Sequence, residues 1–419
     1  VVRWAARYQV PLVARGGGTG VMGGAVPLGT AVVVDCSGLD QIVVHPDSAV
    51  VEAGAGVPLG RLNAALAEFN LMVPHDPWSV AMATVGGAIS TDGVGYLAGR
   101  WGSMGQQVIA LEMVTPDGSI VRTQPYKPSL GPDLRALCIG SQGGFGFITR
   151  AWLTAVARPE QMEFAAWRFA GFEAGFAAVL RLWRAGLRFD LLDYTDGTPE
   201  ALELEPGHQD ETGRTAILRL GAFGLGEEVS GRMQAARRLI QEGQPLGPDP
   251  ARQYWDHRYA IANRWREQVH GSRNLQERAR FGRMGLDYLN LALWPEQIPA
   301  YRRRVLEVAA ETPGIEVGEI GLWGTPWLFS AVFWESSAKP AADDEPPTPG
   351  QYPERMHALL TRLIAEAQAA GGNAECIHGI GLKGLPWLAG EAGSSLLARL
   401  KSLWDPQELL NRGKFSPGP

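Results

Sequence analysis

Hydrophobic and polar positions follow a strand-like pattern early in the chain. Three short apolar runs, 31–35, 41–44 and 49–53, are separated by the turn-rich stretches "CSGLD" and "HPDS". These runs predict a meander of antiparallel strands. Further on, "VIALEMVTPDGSIVRT" predicts a strand pair that turns at Asp117-Gly118.

Helical spacing of apolar residues appears between and after these strands. Leu59, Leu62 and Leu66 follow Pro58 at spacings of three and four, which predicts a helix over 57–69. Later apolar stripes begin at Phe172, Val229, Ile298 and Met356, and "RTAILRL", "LDYLNLALW" and "WLFSAVFW" predict strands between them. "GQPLGPDP" and "AKPAADDEPPTPG" are predicted to be exposed loops. Beyond residue 158 helical patterns alternate with strand-like runs, and this change of pattern predicts a second α+β domain that begins near there.

Composition excludes several classes of protein. The 419 residues carry a net charge of −6 and no block of like charge, which argues against a nucleic-acid partner. No apolar run is long enough to span a bilayer, and the first residues lack the order of a signal peptide. Three widely spaced cysteines suit a reducing compartment, so a cytoplasmic protein with neither a disulfide framework nor a zinc site is expected.

The stretch "VARGGGTGVMGGAV" contains a formal match to the dinucleotide fingerprint G-x-G-x-x-G, from Gly18 to Gly23. That fingerprint requires a strand before the glycines and a helix after them. Here "PLVA" precedes the loop, but the strand "AVVVD" follows it, so the loop joins strand to strand. The absence of Lys-Ser or Lys-Thr after the glycines also excludes a Walker loop.

Two further glycine-dense segments begin at Thr84 and Gly140, each beside strand signals. One alternative for the first loop is a flexible hairpin. The other is a nest, a loop whose successive main-chain N–H groups turn inward to bind an anion. Three such segments favour one extended ligand approached by several stretches of main chain.

At this point the sequence resembles the FAD-linked oxidases of the vanillyl-alcohol oxidase and p-cresol methylhydroxylase (PCMH) type. "PLVARGGGTGVMGGA" resembles the pyrophosphate loop of that family, and "PHDPWSVAMATVGGAISTDGVGYLAGRWGSMGQQVIALEMVTPDG" its second flavin-wrapping stretch. "GSQGGFGFIT", "IHGIG" and "WDPQELLNRGKF" resemble later motifs in the same order. Each motif is weak alone, and the ordered set covers nearly the whole chain.

The resemblance implies a set of cofactor-binding residues for FAD, with the pyrophosphate lined by Arg15, Gly16, Gly17, Gly18, Thr19, Gly20, Gly23 and Gly24. It implies that Pro74, Asp76, Thr84, Gly86, Gly87, Thr91 and Gly95 follow the flavin. Gly140, Gly143 and Ile148 are expected near the adenine, with Asn411 and Lys414 returning from the C-terminal end. Gln142 and Arg412 depart from the family pattern, which has Glu and Pro there. A non-covalent FAD is expected, and His75 keeps covalent attachment open.

The implied fold is α+β: a two-part, PCMH-type FAD-binding domain over 1–157 and a ferredoxin-like cap, or substrate, domain over 158–395. Residues 396–419 are expected to return to the FAD-binding domain. Because the match begins at a helix, the chain is expected to start after several dozen residues and the first strand that family members carry.

The chemistry requires a base for the substrate hydroxyl and cations for a substrate anion. His378, in the "IHGIG" motif and predicted at the end of a strand, is the candidate base; the alternative is a structural histidine. Arg258 and Arg264 are candidates to bind an anionic substrate, and a solvated basic helix face is the alternative. A metal-binding branch of the family carries histidines and aspartates where "EIGLWGTPWLFSAVF" stands, so no metal site is expected.

Three functions remain open. The first is an FAD-dependent oxidoreductase that oxidises a small, hydroxylated, anionic substrate of the 2-hydroxy-acid type. The second is a flavoenzyme without net redox change, similar to alkylglycerone-phosphate synthase, and the third is a degenerate flavin-binding scaffold. The sequence identifies neither the electron acceptor nor the oligomeric state, for which a homodimer is one option.

Overall fold

The computed structural model describes residues 1–126, 129–198, 202, 209–260, 263, 286–335 and 354–415. The chain divides into two compact units: Val1–Arg158 with Glu375–Pro419, and Pro159–Ala374. The first boundary falls near residue 158, where a new domain is expected. The second falls between Ala374 and Glu375, earlier than the expected limit at 395/396.

The N-terminal part of the first unit is built from short elements. Its helices are α1 (Val2–Tyr8), α2 (Leu59–Ala67), α3 (Val85–Thr91) and α4 (Ala98–Trp101). Its strands are β1 (Leu12–Arg15), β2 (Val32–Asp35), β3 (Ile42–His45), β4 (Val50–Gly54), β5 (Leu71–Met72), β6 (Val108–Val114), β7 (Ile120–Arg122), β8 (Phe147–Thr154) and β9 (Val156–Ala157).

The predicted antiparallel meander is wrong in one respect. Strand β2 pairs in parallel with β1, from Leu12 opposite Val32 to Arg15 opposite Asp35, and only β3 and β4 pair antiparallel. Parallel neighbours cannot be joined by a tight turn, because the chain must return to its starting end before the second strand begins. The glycine loop over 16–31 makes this return without a helix.

A five-stranded sheet in the order β3-β4-β8-β6-β7 forms the core of this unit, and each of its neighbouring pairs is antiparallel. The predicted hairpin of β6 and β7 is confirmed, with Gly118 at φ +79° in its turn. Helix α2 buries Leu59, Leu62 and Leu66, which are at most 1% exposed, in the same core. Each of these leucines contributes about 2 kcal/mol of hydrophobic stabilisation.

The second unit contains strands β10 (Gln161–Phe169), β11 (Leu191–Gly197), β12 (Thr215–Gly224), β13 (Gln244–Gly247), β14 (Leu286–Ala292), β15 (Ile315–Trp323) and β16 (Leu328–Glu335). Its helices are α5 (Phe172–Arg184), α6 (Gly226–Leu239), α7 (Asp249–His257), α8 (Ile298–Ala310) and α9 (Glu354–Ala369). The predicted apolar stripes all lie on these helices. "GQPLGPDP" is a correction, because it contains β13 and the first turn of α7 rather than only a loop.

The strands of the second unit form one sheet in the order β13-β10-β12-β11-β15-β16-β14, with antiparallel pairs throughout. Elements β10 to β13 with α5 and α6 follow a β-α-β-β-α-β path, and their strands lie in the order four, one, three, two. This is the ferredoxin-like arrangement. The described elements from β14 to α9 repeat its first five elements, and β11 pairs with β15 to join the two halves.

Residues 375–415 belong to the first unit and contain α10 (Leu385–Leu388) and α11 (Ser394–Trp404). After α11 the chain runs beside β1: Leu12 donates its N–H to the carbonyl of Leu409 at 2.6 Å, and its carbonyl accepts from Asn411 at 2.8 Å. The buried ammonium of Lys401 fixes this return by donating to the carboxylate of Asp405 at 2.6 Å and to the carbonyl of Leu410 at 2.7 Å.

Candidate functional site

In the glycine loop between β1 and β2, the main-chain N–H groups and the main-chain carbonyls differ in whether they form hydrogen bonds. Within the described part of the chain, no N–H group of residues 16–25 donates a hydrogen bond. The carbonyls of its second half, in contrast, have donors. The carbonyl of Met22 accepts from the N–H groups of Leu382 and Lys383, at 2.7 and 3.2 Å. N–H groups without acceptors beside occupied carbonyls are what an anion-binding nest requires, and the nest itself stays a prediction.

Lys414 and Asn411 hold the second half of this loop. The fully buried Lys414 ammonium donates to the carbonyls of Gly23, Gly24 and Val26 at 3.1, 2.5 and 2.9 Å. The side-chain amide of Asn411 also donates to the carbonyl of Gly24, at 3.1 Å. Burial lowers the pKa of Lys414 to about 8, so the side chain still carries its charge at pH 7. These two residues therefore orient the loop; they do not line open space.

The first half of the loop packs on the second glycine-dense segment. A Cβ on Gly16 would lie 2.2 Å from the hydroxyl of Thr84, and one on Gly17 would lie 1.9 Å from the carbonyl oxygen of Met82. Gly18 has φ +67° and lies under the guanidinium of Arg15. A Cβ on Gly20, in contrast, would meet nothing within 4 Å, so the loop is open there.

The second segment supplies a tightly packed wall made largely of main chain. Thr84 begins α3 and accepts from the N–H of Gly87 at 3.4 Å, while Thr91 donates back to the carbonyl of Gly87 at 3.2 Å. A Cβ on Gly86 would lie 2.7 Å from that of Ala55, and one on Gly95 would lie 2.8 Å from the main chain of the buried Asp76. Pro74 is buried beside them. These glycines are needed for packing as well as for access.

Gln142 connects the third glycine cluster to the other segments, a role that the sequence analysis missed. Its side-chain carbonyl accepts from the N–H of Gly381 at 2.9 Å, and its main-chain carbonyl accepts from the side-chain amide of Asn411 at 2.6 Å. Gln142 itself has φ +49°, between Ser141 and Gly143. A φ angle is not visible in a sequence; the only signal there is a polar residue between the glycines of "GSQGGFGFIT".

The other residues expected near the adenine have different surroundings. Gly140 and Gly143 have φ +74° and +76°, as the tight turns of this cluster require. Ile148 is 6% exposed and packs in the hydrophobic core of the five-stranded sheet. Its side chain therefore supports the sheet beneath the cluster.

His378 lies on an irregular segment that is held against both glycine regions. The predicted strand ending at His378 is wrong, because the carboxylate of Glu375 accepts from the N–H groups of Ile377 and His378, at 2.7 and 2.9 Å. That pairing replaces a strand ladder. Three residues on, Gly381 packs against Met22 of the glycine loop, so closely that a Cβ would lie 1.9 Å from the Met22 carbonyl oxygen.

The His378 side chain remains reachable from solvent. Its side chain is 23% exposed, and its Nδ1 lies 3.5 Å from the Glu375 carboxylate. The segment that carries His378, the candidate base, thus packs against the glycine loop and against the loop of Gln142.

Of the two arginines predicted to bind a substrate anion, the structure describes Arg258 but not Arg264. Arg258 follows α7, and its guanidinium donates to the Trp255 carbonyl at 2.7 Å and to the Tyr259 hydroxyl at 3.0 Å. It also lies over the Trp255 ring, 3.7 Å from the centroid. Arg264 lies outside the described residues.

A charged cluster on the sheet of the second unit was also missed. Arg219 donates to the carboxylate of Asp193 at 2.6 Å, and burial together with the charge of Asp193 raises the pKa of Glu319. Glu319 lies at an irregularity of β15, between Val317 and Ile320, where Arg214 donates to the Gly318 carbonyl at 2.7 Å. Irregularities of this kind redirect a side chain and are common near functional sites. The cluster depends on pairing across three strands, which local sequence patterns do not reveal.

Two searches of the described ranges concern metal ligands and membrane-spanning helices. Over those residues, no group of three or more His, Cys, Asp or Glu side chains could hold a metal ion. The same part of the chain contains no helix long and apolar enough to cross a bilayer.

Two families match the sequence. Residues 1–124 match the FAD binding domain family, and residues 343–415 match the FAD linked oxidases, C-terminal domain. A D-lactate dehydrogenase of Archaeoglobus fulgidus is 28% identical over 99% of this chain and 88% of its own. An alkyldihydroxyacetonephosphate synthase of Trypanosoma brucei brucei is 24% identical over 100% of this chain and 71% of its own. A glycolate oxidase subunit of Bacillus subtilis is 24% identical over 97% and 84%, respectively.

Solved structures share the fold. An alkyldihydroxyacetonephosphate synthase superposes with a TM-score of 0.73 at 16% identity, over 99% of this chain and 73% of the other. Substrate-bound p-cresol methylhydroxylase superposes with a TM-score of 0.71 at 17% identity, over 99% and 86%. The unpaired N–H groups of residues 16–25 fit the pyrophosphate of the cofactor that these matches imply. Residues 1–124 and 343–415 therefore carry the two domains found in FAD-linked oxidases, the chain has a PCMH-type FAD-binding fold, and it is an FAD-dependent oxidoreductase.

Proposed function

We propose that this enzyme oxidises a small, hydroxylated, anionic substrate of the 2-hydroxy-acid type, with His378 as the base that takes the hydroxyl proton. The observation that carries the proposal is the position of His378. Its segment is fixed through Gly381 to Gln142 and to Met22 of the glycine loop, and its side chain is partly exposed. A reachable imidazole beside a cofactor loop suits proton removal during alcohol oxidation.

FAD, when bound, supplies a hydride acceptor at N5 of its isoalloxazine ring. The residues of the chain perform the other tasks. The N–H groups of residues 16–25 bind the pyrophosphate, and Lys414 keeps the loop carbonyls turned away from it. His378 accepts the hydroxyl proton, and the carboxylate of Glu375, 3.5 Å from Nδ1, stabilises the resulting charge. Arg258 and Arg264 are proposed to attract the substrate anion.

The substrate class is supported by two relatives. They are a D-lactate dehydrogenase and a glycolate oxidase subunit, and their sequence identities of 28% and 24% to this chain do not define the individual acid. Both names describe enzymes that act on a carbon bearing a hydroxyl group next to a carboxylate. We therefore expect the same class of substrate here.

The test is anaerobic reduction of the holoprotein. D-lactate, L-lactate and glycolate are each mixed with the protein, and loss of the visible flavin band is followed against uncharged alcohols of similar size. At least one hydroxy acid should bleach the flavin. If none does, while dithionite still does, the proposed substrate class is wrong.

The role of His378 is tested with His378→Gln, using the exposed His45→Gln in the same unit as the matched control. Loss of a general base should slow bleaching by roughly 10²- to 10⁴-fold without loss of bound flavin. His45→Gln should behave like the wild type. Equal bleaching rates in the two variants would remove His378 from the reaction.

A second candidate is a synthase that uses flavin without net redox change. It is favoured by one relative, named alkyldihydroxyacetonephosphate synthase, which aligns with the whole chain at 24% identity. The sequence after His378, "GIGLKGLPWL", also resembles that branch. This candidate predicts turnover of an acyl-dihydroxyacetonephosphate with a long-chain alcohol and no flavin bleaching by hydroxy acids. Absence of phosphate-dependent product would exclude it.

A further inference from the structure

The first strand of the second unit, β10, has a strand neighbour on only one side for part of its length. Strand β12 pairs with all of residues 161–169, whereas β13 pairs only with residues 166–168. Gly247, at φ +80°, and Pro248 turn the chain away from the sheet into α7, so β13 does not continue along β10. Among the described strands, none pairs with this edge of β10 over residues 161–165.

This open edge lines a groove of about 460 Å³, which we call the edge groove. Side chains alternate along the strand, so the two faces of β10 supply different walls. Met162, which is 42% exposed, and the buried Phe164 lie on the face of α7. Glu163 lies on the face of α6, where Ile240 also lines the groove. A strand edge of five residues is about 17 Å long, which is the length of a short extended peptide.

The two arginines of the edge groove differ in their partners. Arg237 on α6 donates to the carboxylate of Glu163 at 2.6 Å. Arg252 on α7 is exposed and lies over the Phe164 ring, 4.8 Å from its centroid. Within the described ranges its guanidinium has no hydrogen bond and no carboxylate partner. A guanidinium without a counter-charge, beside a largely apolar groove, favours a ligand that carries a carboxylate.

Charge also argues against a second copy of this chain as the occupant. Two such edges would pair antiparallel about the centre of residues 161–165, and Glu163 would then lie opposite the same residue of the copy. Like charges directly opposite each other destabilise a strand pair. An acidic segment of a different protein avoids this repulsion and provides a partner for Arg252.

We propose that the edge groove binds an extended acidic segment of a partner protein, which adds a strand to the sheet beside residues 161–165. Main-chain hydrogen bonds to the free edge hold such a segment, and its alternate side chains determine specificity. Apolar side chains pack against Met162 and Ile240, and a carboxylate pairs with Arg252. The edge groove belongs to the second unit, so the proposal goes beyond the oxidation reaction and does not depend on His378 or on the substrate class.

The charge requirement is tested with the holoprotein and a rhodamine-labelled, C-terminally amidated peptide, Val-Thr-Val-Glu-Val-Thr-Val. Fluorescence anisotropy should show saturable binding. Arg252→Gln should weaken it at least tenfold, because the charge-assisted hydrogen bond is lost. The matched control is Arg238→Gln, at an exposed position of α6 outside the groove lining, which should bind like the wild type. A peptide with Lys in place of Glu should also bind at least tenfold more weakly to the wild-type protein.

Strand addition is tested by methylating the main-chain nitrogens of the peptide. Along an added strand, alternate N–H groups point to the neighbouring edge and the others point away. One peptide is methylated at its second, fourth and sixth residues, and the other at its third and fifth. One of the two should bind at least tenfold more weakly than the other. In the same complex, hydrogen exchange of residues 161–165 should slow.

Four results would overturn the proposal. The first is no saturable binding of the parent peptide up to about 1 mM. The second is an equal loss of affinity in Arg252→Gln and Arg238→Gln when both variants unfold at the wild-type temperature. Equal affinity of the two methylated peptides would mean that the groove accepts side chains without adding a strand. A dimer, detected by light scattering, that the peptide dissociates would assign the edge to a second copy of the chain.

Discussion

The ammonium of Lys414 donates a hydrogen bond of 2.5 Å to the carbonyl oxygen of Gly24, 390 positions earlier in the chain. Lys414 is fully buried, and its described acceptors are the carbonyls of the glycine loop. A point charge that attracts carbonyl oxygens leaves the N–H groups of the same loop facing away from it. The geometry therefore gives Lys414 an indirect role in the proposed nest: it orients the carbonyls of the loop.

Replacing Lys414 by Met should weaken FAD binding at least tenfold. Met has a similar length and no charge, so the buried volume is kept while the carbonyls of Gly23, Gly24 and Val26 lose their common donor. The loop peptides are then free to rotate, and the N–H groups no longer converge. FAD affinity is measured by fluorescence titration of the apoprotein. Arg412→Met removes one charge from the same segment and should retain FAD; equal losses in the two variants would refute the orienting role.

The titration of Lys414 should make stability depend on pH in the alkaline range. Burial lowers the pKa of Lys414 from its ordinary 10.5 to about 8 in the folded protein, so the folded state binds fewer protons between these limits. Stability must then rise with pH across this window, by at most about 3 kcal/mol. Below pH 8 the full cost of the buried charge is present. The measurement is the difference in urea unfolding free energy between the wild type and Lys414→Met, at pH 8 and pH 10; a constant difference contradicts the prediction.

Gly20 offers the clearest test of the open part of the loop. A Cβ there meets nothing within 4 Å, whereas one on Gly17 would collide with the Met82 carbonyl at 1.9 Å. Gly20→Ala should therefore leave the apoprotein at least as stable as the wild type, gaining up to about 1 kcal/mol from lower chain entropy. The methyl group occupies space that we assign to the cofactor, so FAD affinity should fall. Gly38→Ala, at another position with open space, should gain similar stability and keep its affinity.

Local elements of this fold could be predicted from the sequence because their signals are local. Helix α2 follows from the spacing of Leu59, Leu62 and Leu66, and the β6–β7 hairpin follows from Asp117-Gly118. The parallel pairing of β2 with β1 could not be predicted in this way. It depends on which strand the chain meets after the glycine loop, and the alternation of side chains is the same for either partner.

The contacts within the candidate site were harder to predict from local sequence patterns. The resemblance indicated which residues surround the cofactor, but not which of them contact one another. Gln142 and Gly381 are 239 positions apart, and Lys414 and Gly23 are 391 apart. His378 was predicted at the end of a strand, whereas the Glu375 carboxylate accepts from the N–H groups that a strand would use.

Gln142→Glu should destabilise the protein, although the family motif that this segment resembles implies Glu at this position. Gln142 is 8% exposed, and its side-chain oxygen accepts from the N–H of Gly381 at 2.9 Å. A carboxylate keeps that acceptor but loses the amide donor and buries a charge, which raises its pKa in the folded state. Because the folded state then binds more protons, stability should fall as pH rises above about 4.3, the ordinary value for Glu. At pH 8 we expect a loss of about 1–3 kcal/mol in the free energy of unfolding relative to the wild type, and a smaller loss at pH 5.

Urea unfolding at both pH values measures this loss. The control is Gln41→Glu, at an exposed position, which should change the stability little. A loss that is equal at the two pH values would show that burial does not raise the pKa of the new carboxyl, and it would contradict the prediction.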